Sequence, residues 1–278
     1  MERLWSSQES AHFIAQPRES DDKYRRGVVG FVTGSAAYPG AAVLGVEAAA
    51  RTGVGMIRYL GPGRATRLVL QRRPEAVTAA GQVQAWVLGS GLDPDKIDEL
   101  TAELLDTALA QNVPTILDGG ALGRRADATG PVLLTPHARE LSRLIDLDVD
   151  AILADPDAAA TSAAKELDAT VLLKGHTTRI ASPDGQLLHV SAAPAWLATA
   201  GAGDALAGIL GALTATLHGE GRPPVDFAPI AATGALLHGL AAQRASNGGP
   251  LTILDLAAEL PSVIADVLAG KVRYPQIP

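Results

Sequence analysis

Short runs of apolar residues alternate with longer amphipathic stretches through the first two thirds of the chain. Each run is bounded by Gly, Pro or Asp and is too short for a helix, which is typical of strands buried on both faces of a parallel sheet. The predicted strands are Val28–Thr33, Gly55–Leu60, Ala85–Leu88, Thr115–Leu117, Val132–Leu134 and Thr170–Leu173. The intervening stretches predict helices at Ala41–Arg51, Arg64–Arg72, Asp95–Ala110, His137–Ile145 and Asp157–Leu167. This alternation predicts a three-layer α/β/α sandwich with a mostly parallel central sheet.

The pattern changes after Lys174. The runs Thr178–Ala181 and Gln186–Ser191 flank Pro183-Asp184-Gly185, a turn sequence that predicts a β-hairpin. The C-terminal part is mostly helical, with predicted helices at Asp204–Leu217, Asp226–Ala245 and Asp255–Leu268, a loop at Gly219–Pro224 and a strand edge or disordered tail at Tyr274–Pro278. We expect residues 27–278 to form a single domain that follows an N-terminal extension, residues 1–26.

Composition narrows the possible partners. Hydrophobic residues make up 47% of the chain but aromatic residues only 4%, so the core must consist largely of small and aliphatic side chains. The net charge of −7 and the lack of a Lys or Arg run argue against nucleic acid or a membrane surface as a partner. No segment has the roughly 18 apolar residues that a membrane span needs. Since the chain has no cysteine, it lacks disulfides, and a cytoplasmic location is expected.

The strongest local signal is a glycine-rich turn before a predicted helix. In the stretch Ala198–Asp204, Gly201 and Gly203 precede Asp204 and an apolar helix. Backbone N–H groups at a helix start form an anion site, for which phosphate is the natural ligand. We expect the helix dipole to hold Asp204 ionised, so that it can accept a proton or orient a hydroxyl. The alternative is a tight turn with an ordinary capping residue.

Two more motifs follow buried strands. Lys174-Gly175-His176-Thr177-Thr178 combines a cation and hydroxyls at the carboxyl end of a strand, where α/β sheets bind ligands. In Thr135-Pro136-His137, Thr135 is the predicted N-cap, and His137 and Glu140 lie three residues apart on the helix that follows. A solvated loop and a structural histidine are the alternatives at these two places.

Other polar residues also end predicted strands. The loops Gly34–Gly40 and Gly89–Asp93 and the side chain of Asp118 are expected at the same sheet edge, either as site residues or as tight turns. The histidines outside the motifs, which show no metal-ligand spacing and are interpreted as incidental, are His12, His189, His218 and His238. The signatures of P-loop enzymes, Rossmann dehydrogenases, α/β-hydrolases and zincins are missing from the sequence.

Taken in order, these motifs resemble the ribokinase-like superfamily and, within it, the NAD(P)H-hydrate dehydratases. The resemblance runs from about Gly30 to Leu268. It rests on Gly34-Ser35 with Pro39–Leu44, Gly89–Leu92, Thr135–His137 with Glu140, Lys174-Gly175 with Thr178, and Ala198–Asp204. The resemblance implies that ADP or ATP, with Mg²⁺, phosphorylates the ring hydroxyl of a hydrated nicotinamide cofactor. Loss of phosphate then restores NADH or NADPH.

Carried over by position, the resemblance also implies a division of the site. The residues that would face the hydrate are Ala42, Gly91, His137 and Asp204, with Asp204 as the catalytic residue. The residues that would hold the nucleotide are Lys174, Gly175, His176, Thr177, Thr178 and Gly203. The amides of Gly201, Ala202 and Gly203 would form an anion hole, and Glu140 would bind Mg²⁺ directly or through water. A homo-oligomer, specifically a homotetramer, is expected on the same basis.

The sequence also departs from this family pattern. Ala193-Pro194 stands where a Gly-Asn pair is usual, and Ala138-Arg139 replaces Pro-Gly after His137, which leaves the choice between ADP and ATP open. A ribokinase-like kinase for a sugar or vitamin-precursor alcohol is the nearest alternative, since Asp204 would serve equally well there. A non-catalytic nucleotide-binding sensor is a third hypothesis. It is disfavoured because a protein that only binds a nucleotide gains little from a carboxylate such as Asp204 beside the phosphate.

Overall fold

The computed structural model describes residues 4–218 and 225–272 and is built around one eight-stranded sheet. Its strands are β1 (Val28–Val32), β2 (Met56–Tyr59), β3 (Ala85–Leu88), β4 (Thr115–Leu117), β5 (Val132–Leu134), β6 (Thr170–Leu173), β7 (Thr178–Ala181) and β8 (Leu187–Val190). The spatial order is β2-β1-β3-β4-β5-β6-β7-β8. Strands β1 to β6 pair in parallel, and β7 and β8 continue the sheet as an antiparallel hairpin, as predicted.

Helices cover both faces of this sheet. They are α1 (Ser7–Ser10), α2 (Pro39–Thr52), α3 (Gly63–Arg72), α4 (Glu99–Leu109), α5 (Ala138–Ile145), α6 (Val149–Ala154), α7 (Pro156–Glu166), α8 (Ala202–Leu217), α9 (Phe227–Ser246) and α10 (Ile253–Leu268). Alternate residues of β1 enter different cores: Val29 and Phe31 pack with α2, α3, α8, α9 and α10, whereas Val28 and Val32 pack with α4 to α7. The predicted three-layer α/β/α sandwich is therefore confirmed.

Three local predictions differ from the structure. The helix predicted over Asp95–Ala110 is divided, because Ile97 is extended and the Asp98 side chain caps a new helix by accepting a hydrogen bond from the Thr101 N–H. Helix α6 was not predicted from the sequence, and neither was the 3-10 segment Gly119–Asp127. The predicted loop Gly219–Pro224 and tail Tyr274–Pro278 lie outside the described residues.

Described residues of the predicted N-terminal extension pack on the domain. Leu4 forms a parallel bridge with His189 of β8, and the Trp5 N–H donates to the His189 carbonyl over 2.8 Å. Ile14 is buried in the core cluster that contains α9 and α10. None of the helices in the described part of the chain has the length and apolar character that a membrane span requires.

Helix α8 is held unusually close to its neighbours. A Cβ atom on Gly208 would lie 2.1 Å from the Gly45 carbonyl oxygen of α2, so only glycine permits this approach. A Cβ on Gly45 would in turn lie 3.3 Å from the carbonyl oxygen of Asp204. The start of α8 is therefore fixed against α2, which positions the glycine-rich turn over one end of the sheet.

Candidate active site

The carboxyl ends of five parallel strands meet beside the start of α8. β1 leads into Gly34, β3 into Gly89–Gly91, β4 into Asp118, β5 into Thr135–His137 and β6 into Lys174. Neighbouring loops touch: the Gly34 N–H donates to the Ser90 carbonyl over 2.7 Å, and the Lys174 N–H donates to the Pro136 carbonyl over 2.8 Å. The convergence that the sequence predicts at this edge is thus present, and this edge is where α/β sheets bind ligands.

Asp118 is the centre of a buried polar network at this edge. Its carboxylate accepts hydrogen bonds from Ser90 Oγ at 2.9 Å, Thr135 Oγ1 at 2.8 Å and Lys174 Nζ at 3.0 Å. Burial opposes the negative charge of Asp118, but the Lys174 ammonium and the three donors lower the pKa of the carboxyl overall. Asp118 therefore stays ionised and links the end of its own strand, β4, to the ends of β3, β5 and β6.

Lys174 carries its positive charge into the same site. Burial disfavours the ammonium, but Asp118 and Glu140 raise the pKa of Lys174 above its usual value. Its Nζ lies 3.5 Å from Glu140 Oε2, and its side chain is still 22% exposed. A charged ammonium with remaining exposure can take an anionic ligand as a further partner.

The start of α5 differs from the sequence prediction. His137, not Thr135, is the N-cap: its Nδ1 accepts from the Glu140 N–H at 3.2 Å, and Glu140 Oε2 accepts from the His137 N–H at 2.8 Å. Thr135 is buried and points its hydroxyl at Asp118 instead of the helix. This reciprocal capping box fixes Glu140 close to Lys174.

The start of α8 presents backbone donors. Gly201 has φ +91°, and a Cβ there would lie 2.4 Å from Leu44 Cδ1, so the turn requires glycine. The Ala202 N–H points back to the Thr199 carbonyl at 3.4 Å, whereas among the described residues no backbone carbonyl accepts from the N–H groups of Gly203 or Asp204. An anion would meet these two N–H groups at the positive end of the helix.

Asp204 has a perturbed carboxyl group. The expectation that the helix dipole dominates is wrong in direction: burial and the negative charge of Asp118 raise the pKa of Asp204 to about 6, and the charge of Lys174 offsets this only in part. Within the described parts of the chain, no side-chain hydrogen bond to its carboxylate is present. A carboxylate whose pKa lies close to neutrality is well matched to general-base chemistry.

A pocket of about 770 Å³ opens beside these groups. Of the residues predicted to bind the nucleotide, it is lined by Lys174, Gly175, His176, Thr178 and Gly203; Thr177 is not part of its lining. The rest of the wall is mainly apolar and comes from Val190, Ala192 to Ala195, Leu197, Leu206 and Ala235. The pocket thus combines a cationic group and donors at Lys174 and Gly203 with an apolar wall that suits a flat, apolar group.

The residues predicted to face the hydrate divide into two groups. His137 lines the large pocket, whereas Ala42, Gly91 and Asp204 do not. Gly91 lies against the start of α2, since a Cβ there would be 2.4 Å from Ala41 Cβ and 3.3 Å from Gly34 Cα. Ala42 is fully buried beside Gly34. Asp204 therefore lies between the pocket, which its neighbour Gly203 lines, and the α2 start.

Sequence reasoning gave Asp118 no specific role in this region and missed His238. Asp118 is one of several strand-end candidates, and the signal for it is a carboxylate directly after the buried strand Thr115–Leu117. His238 was interpreted as incidental, yet it is 7% exposed and lines the pocket. A polar side chain inside the otherwise apolar segment Ala235–Leu240 was the available signal.

No preformed metal cage is evident in the described residues, since no group of three or more His, Cys, Asp or Glu side chains converges there. These residues fit a Mg²⁺ ion that arrives with a nucleotide, because such an ion is bound mainly by phosphate and water and needs only one or two carboxylates from the protein. The Glu140 side chain is 21% exposed and faces Lys174 Nζ at 3.5 Å.

Comparison with known proteins gives a consistent result. A family model for NAD(P)H-hydrate dehydratase matches residues 29–262. The bifunctional NAD(P)H-hydrate repair enzyme Nnr of Corynebacterium glutamicum is 37% identical, over 91% of this chain and 49% of that protein. The ADP-dependent (S)-NAD(P)H-hydrate dehydratase of Neisseria meningitidis is 32% identical, over 94% of this chain and 87% of that protein. The chain thus spans about half the length of the bifunctional relative.

Solved structures agree with this comparison. The ADP/ATP-dependent NAD(P)H-hydrate dehydratase of Bacillus subtilis, co-crystallized with ATP and Mg²⁺, has a TM-score of 0.83 at 26% identity, over 95% of this chain and 98% of that one. A ribokinase-like superfamily protein of Enterococcus faecalis has a TM-score of 0.81 at 24% identity, over 95% and 96% of the two chains, and shows the shared fold. The predicted ribokinase-like fold is confirmed.

Proposed function

We propose that this chain, which belongs to the NAD(P)H-hydrate dehydratase family because the family model covers residues 29–262, is itself a dehydratase. Its reaction would be the ADP- or ATP-dependent dehydration of (S)-NAD(P)H hydrate. The products are NADH or NADPH, inorganic phosphate, and AMP or ADP. The substrates carry over from the relatives of Neisseria and Bacillus, whose names specify this reaction and its nucleotides.

The observation that supports this function best is the position of Asp204. Its carboxyl has a pKa raised to about 6 and stands one residue after Gly203, which lines the pocket with Lys174. A base and a phosphate-binding turn on the same helical turn are what transfer of a phosphoryl group to a hydroxyl requires.

The nucleotide would occupy the 770 Å³ pocket in one orientation. Its phosphates would meet Lys174 Nζ, the Thr178 hydroxyl and the Gly203 N–H, which line the pocket, and the neighbouring N–H of Asp204 at the start of α8. The base and ribose would lie in the apolar part near Ala193 and Leu197. In this orientation, the terminal phosphoryl group would lie beside Asp204.

Phosphoryl transfer would start when Asp204 accepts the proton of the hydrate's ring hydroxyl. The hydroxyl oxygen forms a bond to the terminal phosphorus, and the bond from that phosphorus to the leaving AMP or ADP breaks. Lys174 and the α8 N–H groups stabilise the charge on the transferred group. Cleavage of the carbon–oxygen bond then releases phosphate, and loss of a proton from the adjacent ring carbon restores the dihydronicotinamide.

Mg²⁺, when bound with the nucleotide, would neutralise phosphate charge, and Glu140 is the residue proposed to hold it, directly or through water. The remaining predicted roles also belong to the proposal: Ala42, Gly91 and His137 toward the hydrate, and Gly175, His176 and Thr177 toward the nucleotide. The boundary between the N-terminal extension and the single domain, the cytoplasmic location and the homo-oligomeric state stay predictions.

The test is spectroscopic. Incubation with hydrated NADH, Mg²⁺ and either ADP or ATP should restore the absorbance of NADH, and Asp204→Asn should abolish this return while nucleotide affinity stays close to that of the unaltered protein. Absorbance that stays flat with both nucleotides would contradict the proposed reaction. Equal loss of turnover and of nucleotide binding in Asp204→Asn would contradict the role of Asp204.

A further inference from the structure

His238 differs from the other histidines of the pocket. The His137 side chain is 52% exposed and His176 lies on an exposed turn, whereas His238 is 7% exposed and projects from α9 beside the apolar wall. Ala235, about one turn earlier on the same helix, also lines the pocket. His238 thus places a polar ring in the part of the pocket that has mainly apolar side chains.

The position of this ring is fixed by the backbone around it. A Cβ atom on Gly239 would lie 2.6 Å from the Ala192 Cβ, so α9 packs directly on the segment that leads into the pocket wall. The ring also lies against the backbone of Ala202 at the start of α8. His238 therefore touches both the apolar wall and the helix start proposed to bind phosphate.

The imidazole of His238 can form a further hydrogen bond beyond those that the described residues provide. His238 Nε2 is buried without a hydrogen-bond partner among the described residues, and the backbone of Ala202 lies within hydrogen-bonding reach of the ring. Burial lowers the pKa of His238 to about 4, so the ring is neutral near pH 7 and has one donor and one acceptor nitrogen. Ala202 can engage one of them, and the other lacks a partner in the described part of the chain, which a ligand in the pocket can supply.

We propose that His238 is a specificity residue that hydrogen-bonds the nucleoside part of the bound nucleotide. This rests on the proposed function only in that the pocket takes a nucleotide. A neutral imidazole beside Ala192 and Ala235 suits the uncharged ribose or base, while the phosphates have the ammonium of Lys174 and the N–H groups of α8. His238 would then provide polar recognition on a surface that otherwise selects by shape.

Calorimetric titration with ADP and with inorganic pyrophosphate tests this assignment, because pyrophosphate lacks the nucleoside. His238→Leu should weaken ADP binding by roughly ten-fold or more, the effect of losing one buried hydrogen bond, and leave pyrophosphate binding unchanged. In steady-state kinetics, the KM for ADP should rise more than kcat falls. Two conservative variants show which ring nitrogen contacts the nucleotide. His238→Asn should retain ADP affinity if Nδ1 makes the hydrogen bond, and His238→Gln should retain it if Nε2 makes the hydrogen bond.

His218→Leu is the matched control, because His218 also has a buried ring nitrogen without a partner but does not line the pocket. It should leave ADP affinity unchanged. Unaltered ADP affinity in His238→Leu, or equal loss of ADP and pyrophosphate affinity, would overturn the assignment. If either result is accompanied by normal dehydratase turnover of the unaltered protein, only the role of His238 is overturned and the proposed function stands. If the unaltered protein binds ADP but shows no turnover, the proposed function is contradicted and the role of His238 is not.

Discussion

Replacing Asp204 by Asn should stabilise the protein while it removes activity. The charged carboxylate is unfavourable where it lies, since burial and Asp118 raise its pKa from 3.8 to about 6. The folded state therefore binds a proton more tightly than the unfolded chain, and the stability of the protein falls as the pH rises from below 3.8 through 6. Asparagine has a similar shape but cannot ionise, so the pH-dependent cost disappears.

The magnitude follows from the two pKa values. The ionised carboxylate of Asp204 costs roughly 3 kcal/mol at pH 8 and about half of that at pH 5. Relative to the unaltered protein, Asp204→Asn should therefore gain on the order of 1 kcal/mol more at pH 8 than at pH 5. A comparison of the two pH values is preferable to the absolute gain, because any penalty for burying the amide does not change with pH.

Urea unfolding followed by circular dichroism at pH 5 and pH 8 measures this difference. Asp150→Asn is the matched control, since Asp150 also lies in the first turn of a helix but is exposed. It lacks the burial that raises the pKa of Asp204, and its effect on stability should stay within about 0.5 kcal/mol. An Asp204→Asn gain that is the same at both pH values, or a loss that grows at pH 8, would refute the reasoning.

The value of kcat/KM should fall below pH 6, to roughly a tenth of its plateau at pH 5, because Asp204 acts as a base only when ionised; a pH-independent rate over this range would contradict that role. Lys174→Met should abolish nucleotide binding and lower the free energy of unfolding by about 3 kcal/mol, since Asp118 is left buried without its cation. Adding Asp118→Asn should recover most of the stability but no turnover, and denaturant titration of both variants checks this. ADP should change the fluorescence of Trp196, which is 51% exposed between two residues of the pocket wall, and the change should vanish in Trp196→Phe; a signal that persists would place its origin elsewhere.

The parallel sheet was predictable because its strands are buried on both faces. Runs such as Val132–Leu134 are apolar at every position, and buried parallel strands have this pattern. Helix α6 was missed because Val149–Ala154 is short and is flanked by aspartates, which are common in loops. The division of Asp95–Ala110 depends on a capping contact of Asp98, which hydrophobic periodicity does not report.

The location of the candidate site was predictable from the sequence, but the environment of its side chains was not. Lys174 and His137 follow neighbouring strands, so the topology of a parallel sheet brings them together. The raised pKa of Asp204 was not predictable, because it depends on how deeply the close packing of α8 on α2 buries the carboxyl. His238 is distant in sequence from every motif, and only the packing of α9 on Ala192 brings it to the pocket.

The stoichiometry of the reaction tests the central claim most directly. When the protein is supplied with hydrated NADH, Mg²⁺ and ADP, quantitative chromatography should find one NADH, one AMP and one phosphate formed for each ADP consumed. Consumption of ADP without formation of NADH, or formation of NADH without consumption of ADP, would contradict the account in which Asp204 and the start of α8 couple phosphoryl transfer to dehydration.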